Sequence, residues 1–166
     1  MGEMKRMNTP TSSRIKISAG ILAYRREEHG LFVLLVHPGG PFWRNRDEGA
    51  WSIPKGEVHA EEELEAAARR EFAEELGPSA RIGRLQRLGE IRQRGGKRVI
   101  AFCGEGEFDT ARMAGNTFEI EWPPRSGHLQ SFPEVDRAEW FDLERAKAKI
   151  LAGQVEFLER LAKLGL

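Results

Sequence analysis

Glu71, Glu74 and Glu75 stand at i, i+3 and i+4 in the run Arg70-Glu71-Phe72-Ala73-Glu74-Glu75. At about 100° per residue, Leu64, Ala67, Ala68, Phe72 and Leu76 make one apolar stripe of a helix, the face that packs on a core. Glu71 and Glu75 fall inside that stripe and Glu74 lies at its edge. Like charges at this spacing repel, and a carboxylate on a buried face is costly unless it is paired or coordinates a cation. Closely set carboxylate oxygens suit a hard divalent ion, Mg²⁺ or Mn²⁺. Glu74 and Glu75 are the principal candidate ligands. By contrast, Glu61, Glu62, Glu63 and Glu65 read as an ordinary solvated helix surface.

A glycine precedes this helix. Gly56, five residues, Glu62, seven residues, then Arg70-Glu71-Phe72-Ala73-Glu74-Glu75-Leu76-Gly77 resembles the complete signature of the Nudix hydrolases. The match departs from it only at Pro78, where that family usually has an aliphatic residue; after Gly77 the proline reads as a helix stop. Trp51-Ser52-Ile53-Pro54-Lys55-Gly56 is similar to the lead-in of the branch that cleaves diadenosine polyphosphates and diphosphoinositol phosphates.

Carboxylates that collect divalent metal beside a glycine loop suit phosphoryl chemistry. The Gly56 loop offers a backbone carbonyl to a metal, and Lys55 a point charge to a phosphate. The resemblance implies that Glu71 is a third ligand or the base that deprotonates water. Arg70, with Glu62 as its partner, is expected to orient Glu71. A further acidic ligand is expected from outside the helix, among Glu119, Glu121 and Glu134; Glu134 is favoured because it precedes a Trp140-containing strand, much as an acidic loop residue does in the polyphosphate-cleaving branch. Trp43, Arg44 and Lys97 are candidate substrate contacts, the tryptophan by stacking and the cations by meeting phosphate. Trp51 reads as core. His37, His59 and His128 have no metal-type spacing to one another.

The elements around this stretch are mixed. Ile15 to Tyr24 and Leu31 to Val36 read as a hairpin, followed by a long loop through residues 42–51. Residues 81–91 and 97–108 read as strands joined at Gln93-Arg94-Gly95-Gly96. Phe118 to Trp122 and Arg137 to Phe141 read as further strands, and residues 143–151 and 155–164 as helices broken at Gly153. Residues 1–13 read as a flexible tail and 14–166 as one domain. This order implies an α+β fold, and the resemblance implies a Nudix-type α/β/α sandwich with a mixed sheet and a central metal-binding helix.

A formal net charge of +0 gives no reason to expect bulk nucleic-acid or membrane-surface binding. No apolar run approaches the roughly 20 residues of a membrane span. The first residues lack the apolar stretch of a signal peptide, and a single cysteine, Cys103, fits a reducing cytoplasm. The expectation is a cytoplasmic, metal-dependent pyrophosphohydrolase acting on a small nucleotide, with a dinucleoside polyphosphate first. Other nucleoside triphosphates, ADP-ribose and RNA 5′ ends are alternatives, and a noncatalytic nucleotide-binding module is the rival of a different class. Against the first choice, that branch tends to place an aromatic after Lys97-Arg98-Val99-Ile100, where this chain has Ala101 and then Phe102.

Overall fold

The computed structural model describes residues 16–166. The expected tail, residues 1–13, lies outside them. Nine strands and two main helical layers follow among the described residues: β1 (Ile17–Glu27), β2 (Gly30–Pro38), β3 (Lys55–Glu57), α1 (Leu64–Leu76), β4 (Arg81–Ile82), β5 (Gln86–Arg92), β6 (Arg98–Glu107), β7 (Thr117–Glu121), β8 (Leu129–Pro133), β9 (Val135–Asp142), α2 (Leu143–Lys149) and α3 (Val155–Ala162).

Seven strands make one sheet in the order β4-β6-β1-β2-β9, with β3 added to β1 and β5 to β6. The β1 and β6 strands run parallel, while β1 with β2 and β2 with β9 run antiparallel. The sheet is therefore mixed. Alternate residues of β1 serve opposite faces. Ala19, Ile21 and Ala23 pack with Ala67, Ala68, Phe72 and Leu76 of α1, whereas Leu22 and Tyr24 join Ala146, Phe157, Leu158 and Leu161 of α2 and α3. Burial on both faces explains why β1 and β2 read as continuous apolar runs. The result is the α/β/α sandwich, with α1 as one outer layer.

Several element boundaries depart from expectation. The run Arg81 to Ile91 is two strands, β4 and β5, both paired to β6, with Gly83 to Leu85 between them. The unanticipated β3 is three residues held by pairing of Lys55, Gly56 and Glu57 with Gly20, Ala19 and Ser18. Equally unanticipated, β8 pairs with β7 in a separate two-stranded sheet. Leu129, Gln130 and Ser131 are all exposed, so β8 has no buried face to write a pattern. Glu61 and Glu62 lie before the first turn of α1, which begins at Leu64, so Glu62 is a turn residue and not a helical one. Nor is Glu62 solvated, because it is half-buried against Arg70.

Candidate metal and phosphate site

Seating the apolar stripe of α1 on the sheet carries Glu71 and Glu75 inward with it. The Glu71 side chain is 13% exposed and that of Glu74, at the edge of the stripe, 40%. Gly56 of β3 lies directly against Glu71: a β-carbon at Gly56 would overlap the Glu71 carboxylate. The absence of a side chain there lets the carboxylate rest on the loop backbone.

Arg70 organises the outer half of the group. Its guanidinium donates to both oxygens of Glu62 at 2.9 and 3.0 Å, to Glu71 Oε1 at 2.8 Å, to Glu74 Oε2 at 3.2 Å and to the Glu57 carbonyl at 3.0 Å. The bidentate grip holds the Glu62 carboxyl down to about 2. Glu62 also accepts from the His59 backbone N–H at 3.1 Å, which ties the turn before α1 to the same cation.

Glu134 reaches the cluster through the backbone. The Glu134 N–H donates to the Asn116 carbonyl, and the Asn116 N–H donates in turn to the Glu74 carbonyl at the end of α1. Gly39 N–H donates to the Glu134 carbonyl, so the junction of β8 and β9 is fixed to both α1 and β2. Glu134 and Glu75 consequently line one cleft, whereas Glu119 and Glu121 are exposed on β7 and outside it.

The electrostatics follow from this crowding. Burial first, and the Glu71 charge second, push the Glu75 carboxyl up to about 8, with the Lys55 ammonium opposing. Glu134 is raised by partial burial and then by Glu71 and Glu74. Lys55 is held below the usual lysine range by burial and then by Lys97, against the pull of Glu75 and Glu71. Lys97, exposed at the end of the turn between β5 and β6, is thus brought within electrostatic reach of Lys55.

The cleft has a volume of about 220 Å³ and is lined by the apolar or neutral Val36, Pro38, Trp43, Ala50, Ser52, Ile53, Val135 and Leu151 together with the charged Lys55, Glu75 and Glu134. Trp43 is half-buried and Arg46 stacks over its ring at 5.5 Å. Arg44 is exposed and does not line the cleft. Trp51 is 1% exposed and donates through Nε1 to Asp47 at 2.8 Å, a core role. His37 is buried between the Asp136 carboxylate and the Arg46 carbonyl, while His59 and His128 are exposed. The apolar wall comes from segments far apart in the chain, and no local pattern marked Ser52, Ala50 or Leu151.

The donor set fits a hard divalent cation. Glu75 Oε2 is buried without any hydrogen-bond partner, which is the situation a cation relieves. Among the described residues, no three carboxylate, imidazole or thiol side chains already enclose a single point as a cage; Glu71 and Glu74 are turned to Arg70 instead. All the acidic donors are oxygen ligands, the chemistry of Mg²⁺ or Mn²⁺ and not of a thiolate or imidazole site.

Residues 14–161 match the NUDIX domain family. Over 50 residues the chain is 46% identical to the RNA pyrophosphohydrolase of Caulobacter vibrioides, in two strains, a stretch covering 27% of this chain and 29% of the relative. The match thus spans less than a third of those relatives' length. In fold the chain is similar to a C. elegans Ap4A hydrolase (20% identity, 89% of this chain and 96% of that one, TM-score 0.57). It is also similar to the MutT protein of Methanosarcina mazei Go1 (24% identity, 91% and 95%, TM-score 0.58). A third similar fold is the NUDIX domain of Shewanella oneidensis NrtR in complex with ADP ribose (16% identity, 92% and 90%, TM-score 0.55).

Proposed function

Because this chain belongs to the NUDIX domain family, we propose that it is a divalent-metal-dependent pyrophosphohydrolase, adding water across a phosphoanhydride of a nucleoside diphosphate linked to another group. The observation that carries this reading is Glu75: a buried carboxylate with an unpartnered oxygen, crowded by Glu71 and Glu134, lining a cleft that also holds Lys55. A bound Mg²⁺ or Mn²⁺ supplies neutralisation of diphosphate charge and a lowered pKa for the attacking water. Glu71, Glu74, Glu75, Glu134 and the Gly56 carbonyl are the groups that would hold it.

The rest is the work of the chain. Glu71 is either a carboxylate ligand or the acceptor of the water proton, and Arg70 fixes its direction in both cases. Lys55 lies beside the glutamates, where its ammonium meets a phosphate as a point charge. Lys97 extends that positive charge outward and suits a longer polyphosphate. The apolar wall, with Trp43, excludes water and receives the nucleoside. The Arg44 candidate has no support from the cleft geometry.

Within this class a dinucleoside polyphosphate is the first choice, supported by Lys55 and Lys97 in one electrostatic neighbourhood. An RNA 5′ end is the alternative, supported by the 50-residue stretch shared with the RNA pyrophosphohydrolases. The test is a panel of diadenosine tetraphosphate, ATP, ADP-ribose and 5′-triphosphorylated RNA with Mg²⁺ and with Mn²⁺, products identified. The first choice requires the highest kcat/KM for diadenosine tetraphosphate, and a larger loss on that substrate than on ATP in Lys97→Ala. A wide preference for RNA or ADP-ribose replaces it, and no hydrolysis of any of the four ends the hydrolase reading.

A further inference from the structure

Gln154 is fully buried, in the turn between α2 and α3, far in sequence from the Ser52–Ile53 part of the cleft wall that it contacts. A buried amide needs hydrogen-bond partners, and this one bonds through both its oxygen and its nitrogen to the cleft wall. The Ile53 N–H donates to Gln154 Oε1 at 3.1 Å, and Gln154 Nε2 donates to Ser52 Oγ at 3.0 Å. Ser52 Oγ in turn lies 2.8 Å from the Ile53 carbonyl and 3.3 Å from Gln154 Oε1, so its hydroxyl closes a ring of hydrogen bonds around Ile53. The Ile53 N–H is a donor only, which sets the amide's orientation.

The neighbouring contacts separate this wall from the reacting groups. Residues 49–51 are strapped to residues 148–151 by backbone bonds: Gly49 N–H to the Ala148 carbonyl, Trp51 N–H to the Lys149 carbonyl and Leu151 N–H to the Trp51 carbonyl. The Ser52 backbone is tied to Val36. Lys55 and Gly56 are held differently, by β1, through Gly20 and Ala19, and the Pro54 carbonyl by the Ile21 N–H. Between these two anchorages the Ile53 N–H end of the Ser52–Ile53 peptide is held by Gln154.

We propose that Gln154 is a positioning residue for substrate: it fixes the Ser52–Ile53 peptide that walls the cleft, and so governs how well substrate binds without governing the chemical step. This rests on the cleft being the substrate site. Loss of the ring leaves the Ile53 N–H buried and unpaired, and the wall relaxes to repair it. Lys55 and Gly56, held by β1, stay in place.

The test uses the full-length chain and whichever of diadenosine tetraphosphate, ATP, ADP-ribose and 5′-triphosphorylated RNA the wild type hydrolyses with the highest kcat/KM. Gln154→Met keeps the volume and removes both bonds; its KM rises about tenfold, as expected for roughly 1.4 kcal/mol of lost binding, while kcat stays within about twofold. Ser52→Ala shifts KM in the same sense by less, and the double variant is no worse than Gln154→Met alone because both act on one ring. A folded Gln154→Met with wild-type KM, or with reduced kcat at unchanged KM, overturns the proposal; if that variant does not fold, an unchanged KM in Ser52→Ala does so. Trp43→Ala separates the two readings. If it raises KM and Gln154→Met does not, only the positioning role fails; if neither changes KM, the cleft is not the substrate site and both fail. Hydrolysis of none of the four likewise removes both.

Discussion

Gly56 and Glu71 occupy adjoining space so closely that the glycine's missing side chain is the room the carboxylate uses. Gly56 is not among the glycines with positive φ, so its backbone tolerates alanine and only the volume matters. Gly56→Ala is therefore expected to displace Glu71 without unfolding β3. Misplacing a reacting group by about 1 Å costs on the order of 100-fold, and kcat should fall by roughly that factor while the thermal midpoint of the metal-free protein moves little. Near wild-type kcat in a folded Gly56→Ala would mean that Glu71 is not needed where it stands.

Arg70 bonds four partners at once: Glu57, Glu62, Glu71 and Glu74. Lysine keeps the charge and loses the planar fork, so it cannot hold Glu62 by two bonds while reaching Glu71. Arg70→Lys is expected to lower kcat about 10–100-fold, the usual cost of removing a group that orients a ligand. Glu62→Gln acts in the same direction but less, since it leaves Arg70 in contact with Glu71. The double variant should lose less than the two single losses combined, because both work through one guanidinium; independent, multiplicative losses in a kinetic double-mutant cycle would count against the relay.

The helix and its glutamates were legible because a 3.6-residue period is written in side chains: Ala67, Ala68, Phe72 and Leu76 are buried as the stripe requires. What backbone bonds alone hold in place left no such trace. Gly56 and Glu134 were named by resemblance, but the pairing of Gly56 with Ala19 and the chain of amides from Glu134 through Asn116 to Glu74 could not be read from the sequence, because backbone bonds need no particular residue type. The parallel pairing of β1 with β6 was hidden for a related reason. Two-sided burial makes both strands uniformly apolar, and uniform strands do not name their partners. The spacing of Glu62 from Arg70 suits a helical pair as well as a turn folding back, so sequence alone sets Glu62 on the helix. Gln154 gave no signal at all, since a single glutamine between helices is ordinary until the fold sets it beneath Ser52 and Ile53.

Removal of divalent metal should abolish hydrolysis, since the acidic donors in the cluster are all oxygens and, among the described residues lining the cleft, Lys55 alone offers a cation to a phosphate. Chelation followed by titration with Mg²⁺ or Mn²⁺ should restore activity and raise the thermal midpoint. Preferential binding to the native state contributes about 2.7 kcal/mol at a hundredfold excess over Kd. For a domain of this size that is a shift of several degrees, at roughly 2–4 °C per kcal/mol. Glu74→Gln and Glu75→Gln should each lower kcat by orders of magnitude. Full activity in chelator, or in either variant, would remove the metal from the reaction.

Glu75 ties the same cluster to stability. Its carboxyl is pushed up to about 8 in the folded protein, from an ordinary value of 4.5, by burial and then by Glu71. The folded state thus holds this proton more tightly than the unfolded chain does. The associated stability is fully present below about pH 4.5 and is lost as pH rises through about 8. Metal-free protein should therefore weaken across that window, by an amount on the order of a few kcal/mol, with Glu134 adding to the slope in the same sense. Glu75→Leu replaces the buried carboxylate by an apolar group and should have opposite effects on two measurements. Hydrolysis is lost, whereas the metal-free midpoint at pH 8 equals or exceeds that of the wild type. At pH 5, where Glu75 is protonated, the advantage shrinks and the slope with pH is shallower in the variant. Calorimetry of metal-free Glu75→Leu and wild type at both pH values decides the matter: a variant clearly less stable at pH 8, with an undiminished slope, would place the charge of Glu75 in solvent and not against the core.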